Sequence, residues 1–394
     1  MTARATDEAH RVSSPLELLF DLTFVAAISQ IAAQLAHAIE DGNALQQLVP
    51  YGMVFFAIWW AWMNFTWFAS AYDTDDVPYR LLTLLQMGGV LVLAAGVPSA
   101  FDGSDFRYVT LGYFIMRIAL VAQWVRAAVQ HPEGRRTALR YAGGILVVQA
   151  LWIARLAFPE GPQVALFLLL MVLELSVPPW AERTGKTSWH PHHIAERYGL
   201  FTIILLGESV LASTFGVQAV LGSGVTPGLV VIAASGLILL FTLWWIYFSK
   251  EAGTGLEQHR DRSFFWGYGH YFVFAALAAL GAGFEAAVAS TAVVEPGATE
   301  ALFEAEHHAS ALALGFGVAI PVAVFLVLLW VLHAPIIDTA VVSPVGIIIA
   351  AVLVLLVPLL PLEVPSMLAL ITVVTAALLT FHLVAQRVGR TVNP

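Results

Sequence analysis

Apolar stretches of about twenty residues or more, each closed by a short polar turn, recur along this whole chain. At about 1.5 Å of rise per residue, a helix made from any of them reaches across roughly 30 Å of hydrocarbon. That recurrence leaves one fold class. In lipid every backbone N–H and C=O must bond internally, and with no alternating barrel pattern present only helices achieve it. Twelve spans are expected, at 14–39, 48–70, 79–100, 107–129, 138–158, 162–181, 192–217, 227–249, 263–290, 307–333, 343–361 and 364–387. The chain therefore reads as an all-α polytopic transmembrane helix bundle. Turn chemistry supports the cuts, among them Asp41-Gly42, Pro132 to Gly134 and Pro159 to Pro162. Pro358, Pro361 and Pro365 allow the last two spans to be read instead as a re-entrant hairpin. The first span carries Glu17 and Asp21, so it reads as a retained helix and not as the apolar core of a signal peptide.

Composition removes whole classes of function. Of 394 residues 59% are hydrophobic and 11% charged, with a formal charge of −9 and no basic stripe, which argues against a nucleic-acid partner. There is no cysteine, so disulfides, thiolate metal sites and thiol catalysis are excluded. Gly-x-Ser-x-Gly elbows and glycine-rich phosphate loops are missing too, and Gly222-Ser223-Gly224 reads only as a turn. With the N-terminus placed inside, fifteen of the 18 Lys and Arg fall on the inner side and only Arg107 and Arg155 on the outer, with Arg117 mid-span. That asymmetry predicts cytoplasmic N- and C-termini in a bacterial inner membrane. The bilayer and a small solute or cation are the expected partners.

An internal repeat is also legible. FFAIWWAWMNF at 55–65 is echoed by LFTLWWIYFSK at 240–250, with the Trp pairs about 185 residues apart, and the first span sits about 179 residues before the seventh. Six spans of offset preserve orientation, so the reading is two parallel six-helix repeats, 1–185 and 186–394.

Certain motifs resemble the bacterial low-temperature-requirement A family. They are Ser14-Pro15-Leu16-Glu17-Leu18-Leu19-Phe20-Asp21-Leu22-Thr23-Phe24-Val25 in the first span, and His193-Ile194-Ala195-Glu196-Arg197 with Gly207-Glu208-Ser209 in the seventh. Trp59, Trp60 and His270 also match its pattern. The resemblance spans nearly the whole chain and implies an association with growth at low temperature, without a settled activity. A remoter likeness is to the lysosomal and bacterial potassium channels built from six-helix units, through Trp60 to Asn64 and Arg80-Leu81-Leu82. It implies a pore lined by the first and seventh spans. Phe20-Asp21 lacks the serine between them that the channel motif has, and the seventh span has no such motif.

The charged residues inside the spans carry the functional reading. Glu208 lies about sixteen residues into the seventh span, roughly 24 Å from its start and past the bilayer centre. An ionised group there costs several kcal/mol unless it is paired or wet. Ser209 follows it as a hydroxyl partner. Glu17 and Asp21 are four apart and share one helix face; Glu17 also suits a helix N-terminus capped by Ser13 or Ser14, whereas Asp21 lies a turn too deep for that. Arg197 is able to pair with either. His192, His193 and Glu196 have i,i+3 and i,i+4 spacing, which suits a metal as well as a hydrogen-bonded anchor. Glu304, Glu306, His307 and His308 form a second such group on the outer side. Arg117 and Glu174, both mid-membrane, are expected to form a structural ion pair that Tyr113 joins.

These residues point to a transport protein, either a proton-coupled carrier or a cation channel. Its acidic pathway is expected along Glu17, Asp21, Glu196, Arg197, Glu208, Ser209 and His270, with no organic cofactor. The alternatives are a membrane-embedded enzyme acting on a lipid or other apolar substrate with a metal at the histidines, and a non-transporting membrane protein needed for growth in the cold.

Overall fold

A computed structural model describes residues 1, 12–102, 105–159, 161–221, 225–291, 309–337 and 343–392. Its regular elements are all helical: α1 (Pro15–Glu40), α2 (Ala44–Tyr72), α3 (Val77–Ala95), α4 (Val97–Asp102), α5 (Arg107–Gln130), α6 (Arg135–Arg155), α7 (Gln163–Ala181), α8 (Pro191–Leu221), α9 (Pro227–Tyr247), α10 (Ala252–Gln258), α11 (Ser263–Ala289), α12 (Ala311–His333), α13 (Pro344–Leu356) and α14 (Val364–Val392). Ten helices among the described residues are long and apolar enough to cross a membrane. Helix α8 is 31 residues long and carries Glu196, Arg197 and Glu208 along an otherwise largely apolar run. The expected outer cluster of Glu304, Glu306, His307 and His308 lies outside the described residues.

Local chemistry explains the helix ends. Asp76 caps α3 by accepting the Tyr79 N–H at 3.0 Å, and Thr226 and Ser310 do the same for α9 and α12. The end of α1 turns at Gly42, whose φ of 71° an L side chain would resist, while Asn43 N–H donates back to the Ala38 carbonyl at 3.0 Å. The span expected at 343–361 is shorter than that. Helix α13 has 13 residues, and a 3-10 turn, Val357–Leu359, follows where Pro358 cannot continue the ladder. Thirteen residues make about 20 Å of helix, short of the bilayer core.

The chain forms two compact units. The first comprises residues 1–30 and 49–198, the second 31–48 and 199–394. The division follows packing, whereas the expected boundary at 185 follows likeness of sequence. In the first unit α3 and α5 pack most closely, at a glycine pair: a methyl added to Gly89 would lie 2.7 Å from the Gly112 carbonyl oxygen. In the second, α11 and α12 meet in the same way at Gly283 and Gly317. Without a hydrophobic drive between helices in lipid, close backbone approach at small residues supplies the packing. The echoing Trp pairs have different surroundings: Trp59 and Trp60 are buried, while Trp244 and Trp245 are about half exposed.

Candidate functional site

The first unit brings together four ionisable side chains that the sequence separates by up to 180 residues. Ser14 caps α1, its N–H donating to Glu17 Oε2 at 2.8 Å while Glu17 N–H reaches Ser14 Oγ at 3.3 Å, a reciprocal capping box. The other Glu17 oxygen, Oε1, meets His193 Nε2 at 3.1 Å and Arg197 Nη1 at 3.0 Å. One turn further, Asp21 accepts two bonds from the same guanidinium, Nη2 to Oδ1 at 2.6 Å and Nε to Oδ2 at 3.0 Å. Trp62 of α2 donates its indole N–H to Asp21 Oδ1 at 2.7 Å. Glu17, Asp21, His193 and Arg197 are buried to 1% exposure or less.

Formal charge decides what this cluster can do. Two carboxylates against one guanidinium leave one negative charge when His193 is neutral, and none when it is protonated. A buried charge costs several kcal/mol unless it is paired, and here both carboxylates converge on the one guanidinium.

The neighbouring residues take other roles. Glu196 accepts the Ser13 N–H at 3.2 Å, and the His192 ring lies 5.9 Å from that of His190. His192, His193 and Glu196 therefore do not converge on one point as the metal reading expected. Among the described residues no three His, Asp or Glu side chains form a group able to hold a metal ion.

A second buried polar centre in the same unit lies at Glu174 of α7. It takes Arg117 Nη2 at 3.2 Å, Trp60 Nε1 at 2.8 Å and Trp152 Nε1 at 3.1 Å, with the Tyr113 hydroxyl at 3.4 Å. The Arg117 guanidinium also bonds that hydroxyl and lies 4.5 Å from the Tyr113 ring centre. The Arg117–Glu174 pairing was legible from two opposite charges stranded mid-span. The indole donors were not, because nothing in the pattern of twelve tryptophans marks these two.

The second unit holds the rest of the expected pathway. Glu208 is buried and lies within electrostatic reach of Glu285, which also senses Glu40 and His37. Ser209 donates to its own helix at the Leu205 carbonyl, 3.2 Å away, and packs against Gly281 of α11. His270 sits apart with aromatic company. Its Nδ1 faces the Trp266 carbonyl at 2.7 Å, which only accepts, so Nδ1 carries the proton and Nε2 takes the Tyr247 hydroxyl at 3.2 Å. The His333 ring lies 6.4 Å from it.

Outside the spans, Asp76 serves twice. Besides capping α3 it pairs with Arg126 of α5, whose hydrogen bonds hold its carboxyl below the usual range. The adjacent Asp75 adopts left-handed backbone at φ 47° and is held by a fork from Arg80, which lowers its carboxyl likewise.

Helices of this length carrying buried ionisable clusters define a polytopic helical membrane protein. The chain belongs to the bacterial low temperature requirement A family, whose model matches residues 12–381. An uncharacterized protein of Rhizobium meliloti (strain 1021), RA0937, is 27% identical over 256 residues, covering 63% of this chain and 61% of that relative. The matched region thus spans about three-fifths of the length of the curated relative.

Proposed function

We propose that this protein is an inner-membrane transporter that couples movement of a small solute or cation to protonation of the Glu17–Asp21–His193–Arg197 cluster. One observation carries the reading: two carboxylates and a histidine, all buried to 1% exposure or less, converge with one guanidinium, so a proton or cation exchanged among them changes a buried charge. Ionisable groups buried within a helical membrane protein are by default candidates for ion and proton pathways. The group of Glu40 and His37 on α1, Glu208 on α8 and Glu285 on α11 adds a second acidic region, which suits a cation or proton path. The family's association with low temperature fits a membrane protein whose flux matters when lipids stiffen. Both termini are cytoplasmic in this reading, on the strength of the basic asymmetry.

The bidentate Arg197–Asp21 fork favours a second reading, a clamp that holds α1 to α8 without flux. Proteoliposomes loaded with a pH-sensitive dye separate the two. On the transport reading His193→Gln gives folded protein with proton flux reduced at least about tenfold, since the amide cannot carry the proton in a general acid–base step. Flux equal to wild type at matched reconstitution overturns transport through this cluster. A periplasmic reporter signal at the C-terminus overturns the orientation.

A further inference from the structure

We propose that the groove between α6 and α7 is a binding site for a phospholipid with an anionic headgroup. The groove measures about 760 Å³ and is lined by Gly143, Gly144 and Val147 of α6 and by Val172, Val177 and Trp180 of α7. It exists because two successive glycines leave α6 without side chains on that face. They act differently. A methyl on Gly144 would lie 2.8 Å from Val177, so this glycine lets α7 approach, whereas a methyl on Gly143 would meet nothing within 4 Å. The space above Gly143 is thus an opening that the protein does not fill. The one hydroxyl on the wall, Ser176, bonds its own helix at the Val172 carbonyl, leaving an apolar channel of the kind an acyl chain occupies.

Charge at one end names the headgroup. Arg183 closes the groove, and Arg140, one turn before Gly143, lies with its guanidinium 5.4 Å from the Trp180 ring centre. Neither has a carboxylate partner among the described residues. The nearby acid, Glu182, accepts hydroxyl bonds from Tyr141 and Thr187 instead. Two arginines beside a tryptophan at the end of an apolar interhelical groove match a phosphate at headgroup depth, with the indole in the interfacial belt. Arg136 and Lys186 extend the basic end along the chain, on the side with most Lys and Arg. This inference does not depend on transport through the ionisable cluster.

The test is native mass spectrometry of the full chain extracted from vesicles of phosphatidylglycerol or phosphatidylcholine. Wild type should retain phosphatidylglycerol over phosphatidylcholine by about tenfold, as two interfacial arginines provide. Gly143→Leu puts a better helix former into the groove at a position where an added Cβ meets nothing within 4 Å, so the protein should melt and elute as wild type while losing the retained lipid. Arg140→Gln with Arg183→Gln should keep lipid but lose the preference. Equal retention of both lipids by wild type, or undiminished retention by Gly143→Leu, overturns the proposal. The chain has no cysteine, so Val147→Cys reports on the alternative occupant. Efficient disulfide dimers in the bilayer make this face a contact between two copies and also overturn the proposal.

Discussion

Arg197 and Asp21 form a two-pronged bond, Nη2 to Oδ1 at 2.6 Å and Nε to Oδ2 at 3.0 Å, between helices 176 residues apart in sequence. The fork geometry is specific to guanidinium, since an ammonium delivers a point charge without paired, coplanar donors. Arg197→Lys is therefore expected to be a damaging change. Breaking one partner of a buried pair costs about 3–5 kcal/mol. Asp21→Asn should lower the melting temperature and folded yield comparably, and Arg197→Lys should fall between it and wild type. Detergent-solubilised thermal melts of the three proteins check this, and unchanged melting of Asp21→Asn would remove the clamp from the account.

Glu174 and Arg117 should behave as a structural pair. Either residue changed alone to Ala strands its buried partner and lowers folded yield, at about 3–5 kcal/mol. Exchanging both for apolar residues of similar volume should restore much of that loss, because two guanidinium nitrogens, Nε and Nη1, make no hydrogen bond among the described residues. Trp152→Phe removes one indole donor and should cost about 1–3 kcal/mol. Single variants that express and melt like wild type would show that the pair contributes nothing to stability.

Glu208 separates packing from ion handling. Glu208→Gln keeps the shape and hydrogen-bonding capacity of a protonated acid, so folded yield should stay near wild type while cation- or proton-dependent flux falls at least about tenfold. Growth complementation at low temperature, at matched protein level, gives the second readout. Full complementation by this variant would end the claim that Glu208 takes part in transport.

The Asp76–Arg126 pair sets a pH dependence outside the membrane spans. Arg126 holds the Asp76 carboxyl below its ordinary value, so its contribution is fully present above the unfolded value of about 3.9. It is lost as pH falls through the lower folded value. Asp76→Ala should therefore melt lower than wild type at pH 7, where it forfeits a cap worth about 0.5–2 kcal/mol and the Arg126 contact. The gap should persist to about pH 5 and narrow only in stronger acid. A gap that widens on acidification contradicts the assignment.

Periodicity alone disclosed the helical class, because twenty-residue apolar runs admit no other solution in lipid. Glu17, Asp21 and Arg197 were legible as needing partners for a related reason: charge in an apolar run demands one. Which partner was chosen is a tertiary fact. Trp62, donor to Asp21, sits in an aromatic stretch where four tryptophans occur within nine residues, and sequence offers no reason to prefer it. The three residues at metal-ligand spacing illustrate the opposite failure. Correct i,i+3 and i,i+4 spacing on α8 did not make them converge, because His193 was taken by Glu17 from another helix. The length of α13 was misjudged where apolar residues continue past Pro358 but the hydrogen-bond ladder does not.

The Glu17 carboxyl divides its two oxygens between different tasks. Oε2 receives the Ser14 N–H that fastens the first turn of α1, and Oε1 faces His193 and Arg197. One functional group thus answers to both backbone geometry and local charge. The first turn of α1 and the charged side chains of α8 are thus joined through a single carboxylate without any intervening segment.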